Sequence, residues 1–332
     1  MRLVRVPGLR GPRQVNPALL AAGAMVLIIV AVLGAALLPP SGADDSGPGS
    51  TAAGSVNSSA RSLPWPREGQ TSVLVEGLGA RGELGTKGTQ TPVPIASVTK
   101  VMTAYVILRA HPLRAGESGP DITVDQQAAD ESVSRVESSV PVREGQRLSE
   151  RQLLELLLIP SGNNIARLLA RWDAGSQKAF AKKMNRAAHA LGMRHTTYTG
   201  ASGLERTTTS TSADQLKLAQ QVMRDEVFRS IVAMPSTTAP DRPGRISNSN
   251  ALLGTAGVIG VKTGSSTPAG GNLMWAATAP DGGGRDRLVL GVVLRQQAGT
   301  SPQQGLQAAF AHSSALIKGV RQWLKTTESG TR

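Results

Sequence analysis

The feature that most constrains this chain is a run of 21 residues without a charge, Ala18 to Leu38, almost all of them apolar. As a helix it would extend about 1.5 Å per residue, roughly 30 Å in all, which matches the hydrocarbon core of a bilayer. Arg2, Arg5, Arg10 and Arg13 precede it; Asp44 and Asp45 follow, and the next basic residue is Arg61. The positive-inside bias therefore predicts a cytoplasmic basic tail over 1–17, a single-pass anchor over 18–38, and export of everything beyond. A cleaved signal, which would release the exported part, is the competing reading, but its apolar region is normally about 7–15 residues long.

Residues 39–62 are Pro, Gly, Ser and Ala with almost no large apolar side chain. Such a stretch cannot bury a core and reads as a flexible stalk. The folding information then lies in residues 63–332, a length suited to one domain with a subdomain. Cysteine is absent, which excludes disulfides, thiolate metal sites and thiol nucleophiles. The four histidines, His111, His189, His195 and His312, show no metal-ligand spacing, so neither a metal nor any other cofactor is expected. The net charge of +13 raises the question of nucleic acid, but four Trp, two Tyr and three Phe with no dense Lys/Arg run argue against it. Anionic partners of another kind, such as a cell envelope, stay open, beside a generally arginine-rich composition.

Hydrophobic period changes along the exported part. Ser72–Val75 reads as a strand, and Gly77–Gly88 as turns leading to another. Within Ser97–Leu108 the residues Val98, Val101, Met102 and Tyr105 recur at helical spacing and predict one buried face. Ser149 and Gln152 form a capping box for an apolar helix that Pro160 ends. Further helices are expected over Ile165–Trp172, over Ser176–Leu191, and from Ser212, capped with Gln215, to about Met223. Val258–Val261, Leu273–Ala277 and Leu288–Leu294 read as strands, and a helix over 303–325 closes the chain. Strands at both ends around a helical middle predict a mixed α/β fold with one sheet built from both chain ends.

Three triplets carry chemistry. Ser97 and Lys100, three residues apart at a helix start, place a hydroxyl and an amine one turn apart on one face. A lysine whose pKa is lowered by burial or by another cation can take the serine proton. Ser161-Gly162-Asn163 sits in the tight break between two apolar helices, where a hydroxyl and an amide can be held rigidly, or can simply cap the next helix. Lys262-Thr263-Gly264 closes the strand Val258–Val261, offering a cation and a hydroxyl to a carboxylate, with a glycine that lets a ligand approach. Chance supplies roughly one S-x-x-K but only about a tenth of a K-T-G in such a chain. All three in this order are not coincidence.

These triplets are the marks of penicillin-binding proteins and class A β-lactamases. The chain resembles the serine D-alanyl-D-alanine carboxypeptidases, the low-molecular-mass penicillin-binding proteins of peptidase family S11. The resemblance runs from about Ser72 to Val293 through PIASVTKVMTA (94–104), REGQRLSERQLLELLLIPSGNNIARLLA (143–170), MNRAAHALGMRHTTYTGASGLE (184–205) and GVKTGSSTPAGGNL (260–273). It implies an antiparallel sheet flanked by helices, with a mostly helical subdomain beside it. It also implies that peptidoglycan stem peptides are the substrate and β-lactams covalent inhibitors. By the same resemblance Ser97 is the nucleophile and Lys100 its base. Ser161 relays a proton to the leaving D-alanine, and Asn163 binds the substrate backbone. Lys262 holds the proton network with Ser161 and, with Thr263, draws in the terminal carboxylate. Gly264 lets substrate approach, and the backbone N–H groups of Ser97 and Ser265 form the oxyanion hole. The chain departs from the family at Asn164, where an Asp is usual.

A class A β-lactamase would need a Glu in an E-x-x-L-N pattern, which does not occur. A non-catalytic, membrane-anchored scaffold would show a broken triplet, and none is broken. An endopeptidase cutting D-Ala cross-links would use the same residues.

Overall fold

The computed structural model describes residues 62–78, 82–239 and 244–326. The predicted tail and anchor, and all but the last residue of the stalk, lie outside them. Among the described residues no helix is long and apolar enough to cross a membrane.

In chain order the strands are β1 (Gln70–Val75), β2 (Glu83–Lys87), β3 (Val93–Pro94), β4 (Asp121–Thr123), β5 (Arg147–Ser149), β6 (Thr209–Ser210), β7 (Ser236–Thr237), β8 (Ile246–Ser247), β9 (Val258–Ser266), β10 (Gly270–Pro280) and β11 (Asp286–Gln296). The helices are α1 (Thr99–Ala110), α2 (Gln126–Glu131), α3 (Glu150–Leu158), α4 (Asn163–Ala174), α5 (Gln177–Ala190), α6 (Ser212–Val222), α7 (Glu226–Val232) and α8 (Pro302–Thr326). One sheet dominates, in the order β2-β1-β11-β10-β9. Every pairing in it is antiparallel, and the first and last strands of the sequence meet as Gln70–Val75 against Val289–Leu294. Both chain ends thus build one sheet, as the pattern predicts.

Successive strand side chains point to opposite faces. In β10, Leu273, Trp275, Ala277 and Ala279 join one buried cluster with Ala309, Leu316, Ile317, Val320 and Leu324 of α8. Met274 and Ala276 face the other way and join the large cluster of the helical side. The sheet is therefore a wall between α8 and all the other helices.

On the helical side α1 is central, packed by α3, α4, α5 and α6. The single buried face expected for it is corrected: every residue from Thr99 to Leu108 is buried. A helix surrounded by others must be apolar or internally satisfied all round. Thr103 meets the second condition, its hydroxyl donating to the carbonyl of Ala201 at 2.7 Å. The capping box at α3 is present in both directions. The cap of α6 moves by one residue: Thr211, not Ser212, accepts from the Asp214 N–H. Ser212 Oγ lies instead 2.9 Å from Ser72 Oγ on β1. Two short helices, α2 and α7, escape a periodicity reading because neither is two full turns long.

Candidate active site

Ser97 lies in a single 3₁₀ turn, Ala96–Val98, that leads into α1, so the helix proper begins two residues later than the hydroxyl. Ala96 adopts φ +46°, a left-handed conformation that costs an alanine on the order of 1–2 kcal/mol. Two contacts hold it there. Thr99 Oγ1 donates to the Ala96 carbonyl at 2.8 Å. Gly203 lies so close that a Cβ there would come within 2.0 Å of the same oxygen. The strained turn leaves Ser97 half-buried while its neighbours Ala96 and Val98 are buried.

Lys100 has no exposure. Its Nζ contacts Ser97 Oγ at 2.9 Å, Asn163 Oδ1 at 2.5 Å and the Ser202 carbonyl at 2.8 Å. Burial pushes its pKa well below the ordinary lysine value, and the charges of Lys262 and Arg167 push the same way, against Glu137 and Glu205. A neutral amine has two N–H donors and one lone pair. Asn163 Oδ1 and the Ser202 carbonyl can only accept, so once the amine is neutral its two hydrogens go to them and its lone pair faces Ser97, the one partner with a proton to give.

Asn163 opens α4, and its Nδ2 donates to Glu137 Oε2 at 2.8 Å. Glu137 is held by Arg167, whose two terminal nitrogens reach its oxygens at 2.5 and 3.1 Å. Arg167 in turn donates to Glu131 at 2.7 Å. Burial disfavours the Glu137 carboxylate, but the bonds from Arg167 and Asn163 outweigh it and bring its pKa below the usual range. Ser161, between α3 and α4, has φ +69°. Its Oγ is buried and has no hydrogen-bond partner among the described residues. A buried hydroxyl left in that state costs about 1–3 kcal/mol, which an incoming ligand group can recover.

Lys262-Thr263-Gly264 requires a correction. It lies inside β9, an edge strand running on to Ser266, and not at a strand end. Edge position serves the same purpose, since one side of β9 is left without a strand partner. Lys262 is buried, its pKa pushed down to about 7 by desolvation, and its Nζ donates to the Thr263 carbonyl at 3.1 Å. The expected hydrogen bond between Lys262 and Ser161 is therefore absent here; each group is free of the other. Thr263 Oγ1 is 2.7 Å from Ser249 Oγ. Gly264 abuts the nucleophile turn: a Cβ there would meet Val98 N at 2.8 Å and Ser97 N at 2.9 Å. That contact brings the backbone of Ser97 beside that of Gly264 and Ser265.

Asn164 is also explained. It is fully buried, accepts from Val140 N at 3.0 Å, and donates to the carbonyls of Val140 and Ala128 at 2.9 and 3.2 Å. A carboxylate could serve the first bond and neither of the others. Glu137, Arg167 and the Ser202 carbonyl were not among the residues expected from the sequence. Glu137 sits in a loop with no period to betray it, 26 residues from the amide it holds.

An accessible serine paired with a buried lysine, set where an edge strand meets a helical layer, defines a serine acyl-transfer hydrolase of the penicillin-binding-protein fold. The match to known proteins is specific. The model of peptidase family S11, D-alanyl-D-alanine carboxypeptidase, covers residues 69–297, and the chain belongs to that family. It is 34% identical over 227 residues to a D-alanyl-D-alanine carboxypeptidase of Streptomyces sp. strain K15, covering 64% of this chain and 75% of that one. A D-alanyl-D-alanine endopeptidase of Pseudomonas aeruginosa is 37% identical over 158 residues, 47% of this chain and 48% of that one. The crystal structure of the Streptomyces K15 DD-transpeptidase superposes with a TM-score of 0.65 at 30% identity, over 75% of this chain and 95% of that one.

Proposed function

We propose that the chain is a serine D-alanyl-D-alanine carboxypeptidase that removes the terminal D-alanine of peptidoglycan stem peptides, with Ser97 as the acylated nucleophile. The observation that carries this reading is the 2.9 Å contact between Ser97 Oγ and the Lys100 amine, whose proton affinity burial has lowered. Ser97 Oγ bonds to the penultimate D-alanine carbonyl as its proton passes to Lys100 Nζ. Negative charge on the carbonyl oxygen is met by the N–H groups of Ser97 and Ser265. The C–N bond then breaks as Ser161 gives its hydroxyl proton to the departing D-alanine nitrogen and regains one from Lys100 Nζ, which returns to the neutral amine. Water hydrolyses the ester, giving the shortened peptide and free Ser97. Asn163 receives the peptide backbone, Lys262 and Thr263 receive the terminal carboxylate, and Gly264 lets β9 lie against the nucleophile turn. β-Lactams acylate the same serine.

The Pseudomonas relative supports a second reading for the same residues, an endopeptidase acting on D-Ala cross-links. We also propose that the catalytic domain works outside the cytoplasmic membrane, tethered by residues 18–38; the arginine-flanked apolar run supports this.

Full-length protein in detergent, incubated with a fluorescent penicillin, is expected to show a covalent band that Ser97→Ala abolishes. Release of D-alanine from a D-Ala-D-Ala peptide then separates carboxypeptidase from endopeptidase. A folded wild-type protein that gives neither band nor D-alanine would refute the reading.

A further inference from the structure

The base in this site is reached through an amide, and an amide has two ends that differ chemically but hardly in shape. With Oδ1 toward Lys100, Asn163 accepts a hydrogen from the amine and leaves its lone pair for Ser97. Turned over, Asn163 would point Nδ2 at the amine and draw the lone pair away from the serine. Something must choose between the two. Glu137 Oε2, an acceptor only, lies 2.8 Å from Nδ2 and permits one orientation. Its backbone is fixed beside the same residue, the Ser138 carbonyl accepting from Asn163 N at 2.8 Å. The carboxylate that does this is also a negative charge one amide away from a lysine that must be neutral. Arg167 answers it with two bonds, and the two side chains are each only 9% exposed.

We propose that Glu137 and Arg167 form a latch that acts through Asn163: Glu137 sets which end of the amide faces Lys100, and Arg167 offsets the charge that would otherwise hold a proton there. Both are positioning residues, and the inference rests on Lys100 being the base. The charged groups facing Lys100 are Lys262 on β9, Arg167 on α4, Glu137 on its loop and Glu205 beyond Ser202. Of these, Glu137 and Arg167 are directly bonded and opposite in sign; Arg167 is also bonded to Glu131 of α2, which both single variants and the double variant leave in place. Removing one therefore unmasks the other.

This gives a signed test that a purely structural role would not pass. The rate of acylation by a fluorescent penicillin is measured from pH 5 to 10 on the full-length protein, and its acid limb reports loss of the Lys100 proton. Glu137→Gln keeps an oxygen for Asn163 but deletes the negative charge, so the acid limb is expected to move to lower pH by about one unit. Arg167→Gln leaves Glu137 uncompensated, and the limb is expected to move about as far to higher pH. The double variant should return close to wild type, which also answers any variant that folds poorly alone. Glu137→Leu, which offers Nδ2 no acceptor, should slow acylation about tenfold or more at every pH, while Glu137→Gln does not. Unmoved acid limbs, or limbs that move the same way in both single variants, overturn the latch. A wild-type protein that does not label at all overturns the base assignment beneath it.

Discussion

Glu150 is the first residue of α3, has no exposure, and neither carboxylate oxygen has a hydrogen-bond partner among the described residues. Its N–H goes to the Pro120 carbonyl, and a Cβ on Gly119 would touch its side chain. Burial raises its pKa from 4.5 to about 7. Each unit is worth about 1.4 kcal/mol, so the penalty for the charged form is about 3.5 kcal/mol. The N-terminus of α3 favours a negative charge and offsets up to about 1 kcal/mol, leaving roughly 2.5 kcal/mol. A group whose folded pKa is raised supports the fold fully below its unfolded pKa, and that support is lost as pH climbs through the folded value. Wild type should accordingly lose stability between pH 4.5 and pH 7, and Glu150→Gln should not. At pH 8 the variant is expected to melt higher by about 5–10 °C, using about 2–4 °C per kcal/mol for a domain of this size. At pH 4.5 the two should melt nearly together. Thermal unfolding followed by circular dichroism across that range decides it. A difference in Tm that does not vary with pH would show that Glu150 stays in one protonation state throughout, and the burial argument would fail.

Other outcomes follow from the same geometry. Asn164→Asp, which restores the residue usual in the family, should destabilise by about 2–3 kcal/mol at pH 7, because the carbonyls of Ala128 and Val140 lose their donor; chemical denaturation measures it. Gly264→Ala should lower penicillin acylation by about a hundredfold or more, since all three nearest atoms to the new methyl are backbone of Ile95, Ser97 and Val98 and the oxyanion geometry must shift; labelling kinetics with a melting control would read this. Lys262→Met should abolish turnover yet melt above wild type at pH 7 and below, with the advantage shrinking as pH rises toward 10.5, because the depressed pKa of about 7 marks a buried cation that the unfolded chain does not have to bury. Equal melting temperatures at pH 6 would contradict that.

What could be read in advance divides along a physical line. Local signals were legible: the capping box of Ser149 and Gln152, the helix stop at Pro160, the strands of β1, β10 and β11, and the three triplets that meet in one site. Each depends on residues a few positions apart. Burial of α1 on all sides was not legible, since the polar Thr103 and Lys100 are satisfied by carbonyls far along the chain, those of Ala201 and Ser202. The extent of β9 was misjudged because a lysine inside a strand reads as its end; only the sheet register, with Lys262 opposite Met274, shows it continuing. Glu137 and Arg167 carried no local signal at all, being polar residues in a loop and on a helix that only the folded chain joins.

The position of Asn163 between Glu137 and Lys100 explains how a carboxylate can stand so close to a lysine that must lose its proton. A direct ion pair would raise the lysine pKa, typically by one to three units of about 1.4 kcal/mol each. Burial without any pair would leave Ser97 facing an amine with no fixed lone-pair direction. The amide separates the two effects. It passes on the direction set by Glu137 while keeping the charge a full side chain away, and Arg167 reduces what remains. Lys262 adds repulsion of its own, so the cations that depress Lys100 stand on β9 and on α4 while Glu137 is already engaged by Arg167. The fold carries two buried lysines, each costing several kcal/mol when charged, against a net stability for a domain of only about 5–15 kcal/mol. The large apolar cluster around α1, which includes Ile95, Val98, Val101 and Ile165 close in sequence to the site residues, supplies the burial that lowers the proton affinity of Lys100.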